Sequence, residues 1–317
     1  MLSLRTMGSF HVGGRGLVVT GQPKRRITYS KAFADVEYDP NGHYWIEQAY
    51  VQYFIPSRLR VPTPLLLVHG GGLTGSVWET TPDGRDGWLP YFLRAGIATY
   101  VIDMPERGRA GFCAHEGIWP EAPIVRSEEE AWRLYRFGAP EGFATRTGFP
   151  GLQFPLEAAT AFARTAVPRW PGNGPMMLAG LEAAVQRIGP CILLGHSQGG
   201  GFAMAATIAF PDLVRGCVLV EPHGVPAPEE IARPEPRGCL LVMGDYIERA
   251  AEWPPLDAKA RAALAGWAEA GGQAEIIELP KQGIFGNSHM PMMDRNSDQV
   301  AELILRWLDR EHAAGRL

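Results

Sequence analysis

Short, unbroken apolar runs recur along this chain. PLLLVH (64–69), IATYVID (97–103), CILLG (191–195), CVLV (217–220) and CLLVM (239–243) are followed by a weaker AEIIEL (274–279). Runs this short and apolar, separated by stretches of helical spacing, predict strands buried on both faces of a parallel sheet. The first 60 residues have a different rhythm. GSFHVGGRGLVVTG suggests a β-hairpin, and YWIEQAYVQYFI (44–55) is rich in aromatic and β-branched residues. Near the C-terminus, Val300, Leu303, Ile304, Trp307 and Leu308 fall on one helical face, with Asn296 or Ser297 as the expected N-cap. Gly200–Phe210 is small and apolar, as a helix packed tightly on a sheet requires.

The long interval between Asp103 and Cys191 holds three helical patterns, at 128–136, 156–166 and 176–188, where a strand-to-strand crossover needs one. The surplus, roughly 110–175, is rich in Pro, Trp and Phe and reads as a helical cap inserted after the fourth strand. Trp119, Trp132, Phe137, Phe154 and Trp170 belong to it; most should be core, and some should line an apolar pocket. The whole predicts a single α/β domain, with a mostly parallel sheet flanked by helices and an N-terminal β-hairpin.

Composition narrows the function classes. The net charge of -4 over 317 residues offers no pull toward nucleic acid or anionic membrane. No apolar stretch approaches the ~20 residues needed to span a bilayer, and no signal-like segment opens the chain, so the expected location is the cytoplasm. Of the four cysteines, three (Cys191, Cys217 and Cys239) lie in apolar runs, and none has metal-ligand spacing. No metal or cofactor is expected.

The candidate chemistry starts at LLGHSQGGG (193–201), a G-x-S-x-G pentapeptide centred on Ser197. It follows an apolar strand and precedes a small-residue helix, the context in which a strained turn exposes a nucleophilic hydroxyl. The alternative is a glycine-rich turn with an incidental serine. LVHGGGLTG (67–75) follows another buried strand and can supply a backbone N–H to an oxyanion; Gly71 is the first choice and Gly72 the second, with Gln198 as the other donor. His69 reads as structural. Of the histidines after Ser197, His312 sits in a last helical turn and His223 lies just past a strand end. His289, in the loop QGIFGNSHMPMMD, is the candidate base.

The acid is less direct. Many proteins with this arrangement carry it in a G-x-x-[DE] turn after the seventh strand, but that turn here reads Gly244-Asp245-Tyr246-Ile247. Ile247 cannot orient an imidazole. Glu221, at the tip of the preceding strand, is the favoured acid, and Asp245 the alternative. Gly72, Leu73 and His223 are candidate pocket residues. Arg107 and Arg109 read as a salt-bridged turn, with an acidic-substrate contact as the functional alternative.

The block His69–Arg109, together with GHSQGG, VEPHG, MGDYIE and GNSHMPMMDRNSDQVAELILRW, resembles a group of bacterial α/β-hydrolases typified by the Alcaligenes esterase. The resemblance covers about 8–309 and is weakest in 110–175. It implies an α/β-hydrolase fold and an esterase with a Ser–Glu–His triad, here Ser197, Glu221 and His289. The oxyanion donors would be the N–H groups of Gly71 and Gln198. Gly71–Gly72 stand where the family type has bulkier residues. Homodimers and a small ester substrate are also implied. A lactone, or the C–C bond of a ring-cleavage product, is the alternative substrate, and a lyase or a non-catalytic ligand receptor is a more distant reading.

Overall fold

The protein is described here by a computed structural model covering residues 2–317 except 33, 116 and 232–236. Its strands are β1 (Leu4–Val19), β2 (Arg25–Ile27), β3 (Val36–Tyr38), β4 (Gly42–Pro56), β5 (Leu65–Val68), β6 (Thr99–Asp103), β7 (Cys191–His196), β8 (Val214–Val220), β9 (Gly238–Met243) and β10 (Gln273–Glu278). The helices are α1 (Trp88–Arg94), α2 (Glu128–Leu134), α3 (Ala159–Ala163), α4 (Gly174–Ile188), α5 (Gln198–Ala209), α6 (Trp253–Glu269) and α7 (Ser297–Ala313). Eight strands form one sheet in the order β1-β4-β6-β5-β7-β8-β9-β10. β1, β4 and β6 pair antiparallel, and every pairing from β6 to β10 is parallel.

The unbroken apolar runs are explained by two cores. Alternate residues of a strand face opposite sides of a sheet. In β7, Ile192 and Leu194 join the cluster built with Trp88, Phe92, Ile304 and Trp307 of α1 and α7. Cys191 and Leu193 join the other, with Leu181, Met204, Leu264 and Trp267 of α4, α5 and α6. Both faces are covered, so the run Cys191–Leu194 is apolar throughout, and the one polar side chain of β7, His196, is bonded to the His289 carbonyl. All four cysteines are buried free thiols.

The N-terminal stretch departs from its expected form. GSFHVGGRGLVVTG does not turn back on itself; it lies almost wholly within β1, whose antiparallel partner is β4. Gly13 and Gly14 have positive φ, and the paired register passes over Gly14 opposite Glu47, so the glycines distort the strand without reversing it. The three helical patterns after Asp103 form α2, α3 and α4. At α7, Asn296 occupies the N-cap position, but its side chain makes no cap; it bonds Asn287 instead.

The turn between β7 and α5 is the tightest junction of the sheet. Ser197 has φ 54° and ψ -123°, a backbone conformation that costs a non-glycine residue about 1–3 kcal/mol. It persists because its neighbours leave no alternative. The Ser197 N–H donates to the Val220 carbonyl at 3.0 Å, and the His223 N–H donates to the Ser197 carbonyl at 2.9 Å. A side chain on Gly199 would stand 2.5 Å from the Val68 carbonyl oxygen and closer still to that of His69. Replacing Gly199 by alanine therefore lowers stability by more than about 1 kcal/mol. Gly174→Ala meets no atom within 4 Å and leaves it unchanged. Thermal unfolding of the two variants checks this; equal melting temperatures would contradict it.

Candidate active site

Three loops bring Ser197, Glu221 and His289 to the C-terminal ends of the parallel strands. Ser197 ends β7, Glu221 ends β8, and His289 lies in the loop between β10 and α7. The His289 Nδ1 and a Glu221 carboxylate oxygen are 3.3 Å apart, at the long end of hydrogen-bond range. With Nδ1–H donating to the carboxylate, Nε2 is left with its lone pair. Ser197 and His289 line one cavity of about 440 Å³ with Gly70, Gly71, Leu73 and Gln198. Gln198 is the first residue of α5, where a backbone N–H has no intrahelical acceptor. A methyl group built on Gly71 would stand 2.9 Å from the Gln198 Oε1, so the Gln198 side chain lies against Gly71.

The remaining candidates separate by position. Leu73 and His223 line the main cavity, whereas Gly72 lines a smaller apolar side pocket with Trp132, Phe137 and Phe162. His69 is buried, with Nδ1 on the Gly70 carbonyl and Nε2 accepting the Met104 N–H; burial pushes its pKa down to about 4. Asp245 does not reach His289. Its carboxylate accepts the N–H groups of Tyr246 and Gly286. Arg109 pairs with Asp103, while the buried Arg107 guanidinium contacts the Glu106 carbonyl and the Met177 sulfur; neither lines the cavity.

The sequence reading missed the partner of Glu221. Arg136, just beyond α2, is fully buried and grips the Glu221 carboxylate with two parallel bonds of 2.8 and 2.7 Å. Its Nε donates to the Asp245 carbonyl at 2.8 Å, and its guanidinium lies 4.4 Å from the Trp253 ring centre. The Gly244 N–H completes the carboxylate's shell at 2.5 Å. The glycine that opens the G-x-x-[DE]-like turn thus binds the carboxylate supplied by the neighbouring strand.

His289 is held as firmly. Its N–H donates to the Tyr135 carbonyl, its carbonyl accepts from the His196 Nε2 at 2.8 Å, and its ring stacks against Tyr135. Asp294 fixes the loop from below through the Ser288 N–H, the Ser288 hydroxyl and the Asn287 amide. These bonds pin the loop.

The alpha/beta hydrolase family matches residues 65–275, more than half of the sequence. The chain belongs to that family. A solved structure of a bacterial esterase is similar over 98% of this hydrolase and 97% of its own chain, with a TM-score of 0.83 and 35% identity. A fungal protein (strain ATCC 74256) named "Probable secreted lipase phiG" is 27% identical over 85% of this chain and 88% of its own length. Among the described residues, no helix is long and apolar enough to cross a membrane.

The electrostatics of this hydrolase's imidazole follow from its setting. Burial holds the His289 pKa well below 6.5, and the positive charge of Arg136 lowers it further. A depressed pKa keeps the ring neutral, and able to accept a proton, into acid solution. The kcat/KM for an ester substrate should therefore stay level as pH falls through 6.5 and decline only below it. A pH–rate profile tests this; an acid limb centred at or above 6.5 would contradict it.

Proposed function

We propose that the protein is a serine carboxylic-ester hydrolase acting on a small to medium ester through Ser197, His289 and Glu221. The observation that carries this reading is the buried Glu221–His289 contact facing the cavity that Ser197 enters from its strained turn. His289 Nε2 takes the Ser197 proton as Oγ attacks the ester carbonyl. Glu221 keeps the imidazole in the Nδ1–H tautomer and stabilises the imidazolium. The Gly71 and Gln198 N–H groups receive the oxyanion, each worth about 3 kcal/mol of barrier in sites of this kind. His289 then returns the proton to the leaving alcohol, and water attacks the acyl-enzyme by the same route.

The segment 111–173 acts as the cap in this scheme: it supplies Tyr135 against His289 and the apolar side pocket in which Trp132 and Phe162 would hold the hydrocarbon part of a substrate. The names of the bacterial esterase and the fungal lipase support ester hydrolysis over C–C cleavage. Buried free thiols suit the reducing cytoplasm.

Hydrolysis of p-nitrophenyl butyrate by the wild type and three variants tests the assignment. Ser197→Ala should lose at least about 10⁴-fold in kcat, and Glu221→Gln about 10³–10⁴-fold. Asp245→Asn should stay within about tenfold, because its carboxylate supports the loop and not the imidazole. Equal turnover by wild type and Ser197→Ala would overturn the reading. Collapse of Asp245→Asn with retention by Glu221→Gln would overturn the choice of acid.

A further inference from the structure

The cavity in front of Ser197 has a charge that the ester mechanism does not use. Arg126, Arg169, Glu130 and Glu252 all contribute to its wall. Glu130 is matched by the Arg126 Nε at 3.3 Å, and Arg126 also donates to the Tyr135 hydroxyl at 2.7 Å. Glu252 is matched by Arg133. Arg169 is left over: among the described residues its guanidinium has no hydrogen bond and no ion pair.

That guanidinium is not a loose surface group. The Arg169 backbone is locked by a reciprocal pair of hydrogen bonds with Ile124, at 3.0 and 2.8 Å. A methyl group built on Gly71 would stand 3.1 Å from the Arg169 Nη1, which puts the cation beside Gly71, one of the two residues proposed to receive the oxyanion. Burial and the nearby Arg126 both disfavour its charge. Glu130 and Tyr135 favour the charge from a distance, but Glu130 is bonded by Arg126, so a half-buried cation with no bonded anion is completed by an anion brought from outside.

We propose that the substrate carries a carboxylate that Arg169 binds, so that the natural ester is a half-ester of a short dicarboxylic acid or a lactone bearing a carboxylate. This rests on the ester-hydrolase reading and names its substrate class. The planar guanidinium offers paired N–H donors matched to a carboxylate. Its closeness to Gly71, in the cavity that Ser197 also lines, sets the carboxylate only a few atoms from the scissile carbonyl.

The test compares monomethyl glutarate with methyl pentanoate at pH 7.5, using wild type, Arg169→Gln and Arg169→Lys. The quantity read is the ratio of the two kcat/KM values, which a general loss of folded enzyme does not move. Wild type should favour the half-ester by about tenfold or more. Arg169→Gln should lower that ratio at least about tenfold. Arg169→Lys, which keeps the charge, should retain part of the preference and serves if the glutamine variant does not fold. A wild-type preference for methyl pentanoate, or a ratio that Arg169→Gln leaves unchanged, overturns the proposal. So does an equal loss on both esters, which would make Arg169 a contributor to oxyanion stabilisation. Turnover of methyl pentanoate by wild type upholds ester hydrolysis whatever the ratio, so the two readings fail separately.

Discussion

A carboxylate with no exposed surface organises this site. Glu221 is wholly buried at the end of β8, where an unpaired negative charge would be several kcal/mol too costly to keep. Two bonds from Arg136 and one from the Gly244 N–H remove that cost. Arg136 comes from the insertion between β6 and α4, so the acid cannot be housed unless that insertion is folded in place. The neighbouring Tyr135 holds the backbone of His289, the proposed base, and stacks on its ring. The insertion therefore builds part of the proposed site.

The pairing also sets the chemistry available to the imidazole. Glu221 engaged by a guanidinium is a weaker attractor for a proton on His289 than a bare carboxylate would be. It still offers Oε2 to Nδ1. The imidazole is oriented without being driven into its charged form, and so stays neutral, as the proposed general base must be before attack. His196, buried beneath the ring and also held well below its usual pKa, supports His289 through its carbonyl without competing for the proton. The cost of this arrangement is strain at Ser197 and at Glu221, both with positive φ. They sit at adjacent strand ends, where the Ser197 N–H bonds the Val220 carbonyl of β8 and the Glu221 N–H bonds the Val242 carbonyl of β9.

Much of this was legible in the sequence because it follows from local rules. A strand buried on both faces must be continuously apolar, so β5 to β9 were visible as runs. A serine in a strand-to-helix turn needs small neighbours, and Gly195, Gly199 and Gly200 stood around it. Glu221 emerged because Ile247 cannot do an acid's work. Arg136 and Arg169 were hidden because nothing in their neighbours marks them. Arg136 reads as one more cation at a helix end, and only its 85-residue-distant partner gives it meaning. The N-terminal strand misled for the opposite reason: Gly13–Gly14 look like a turn locally, but pairing of Gly13 with Gln48 of β4 keeps the strand running.

The central claim is that Arg136 acts through Glu221. A double-mutant cycle on kcat/KM for p-nitrophenyl butyrate, with Arg136→Met, Glu221→Gln and the double variant, measures this directly. If the two side chains form one unit, the double variant should lose no more than Glu221→Gln alone, because the methionine harms the site only by stranding the carboxylate. Losses that simply add would show that Arg136 serves the reaction independently of Glu221, and would contradict the account.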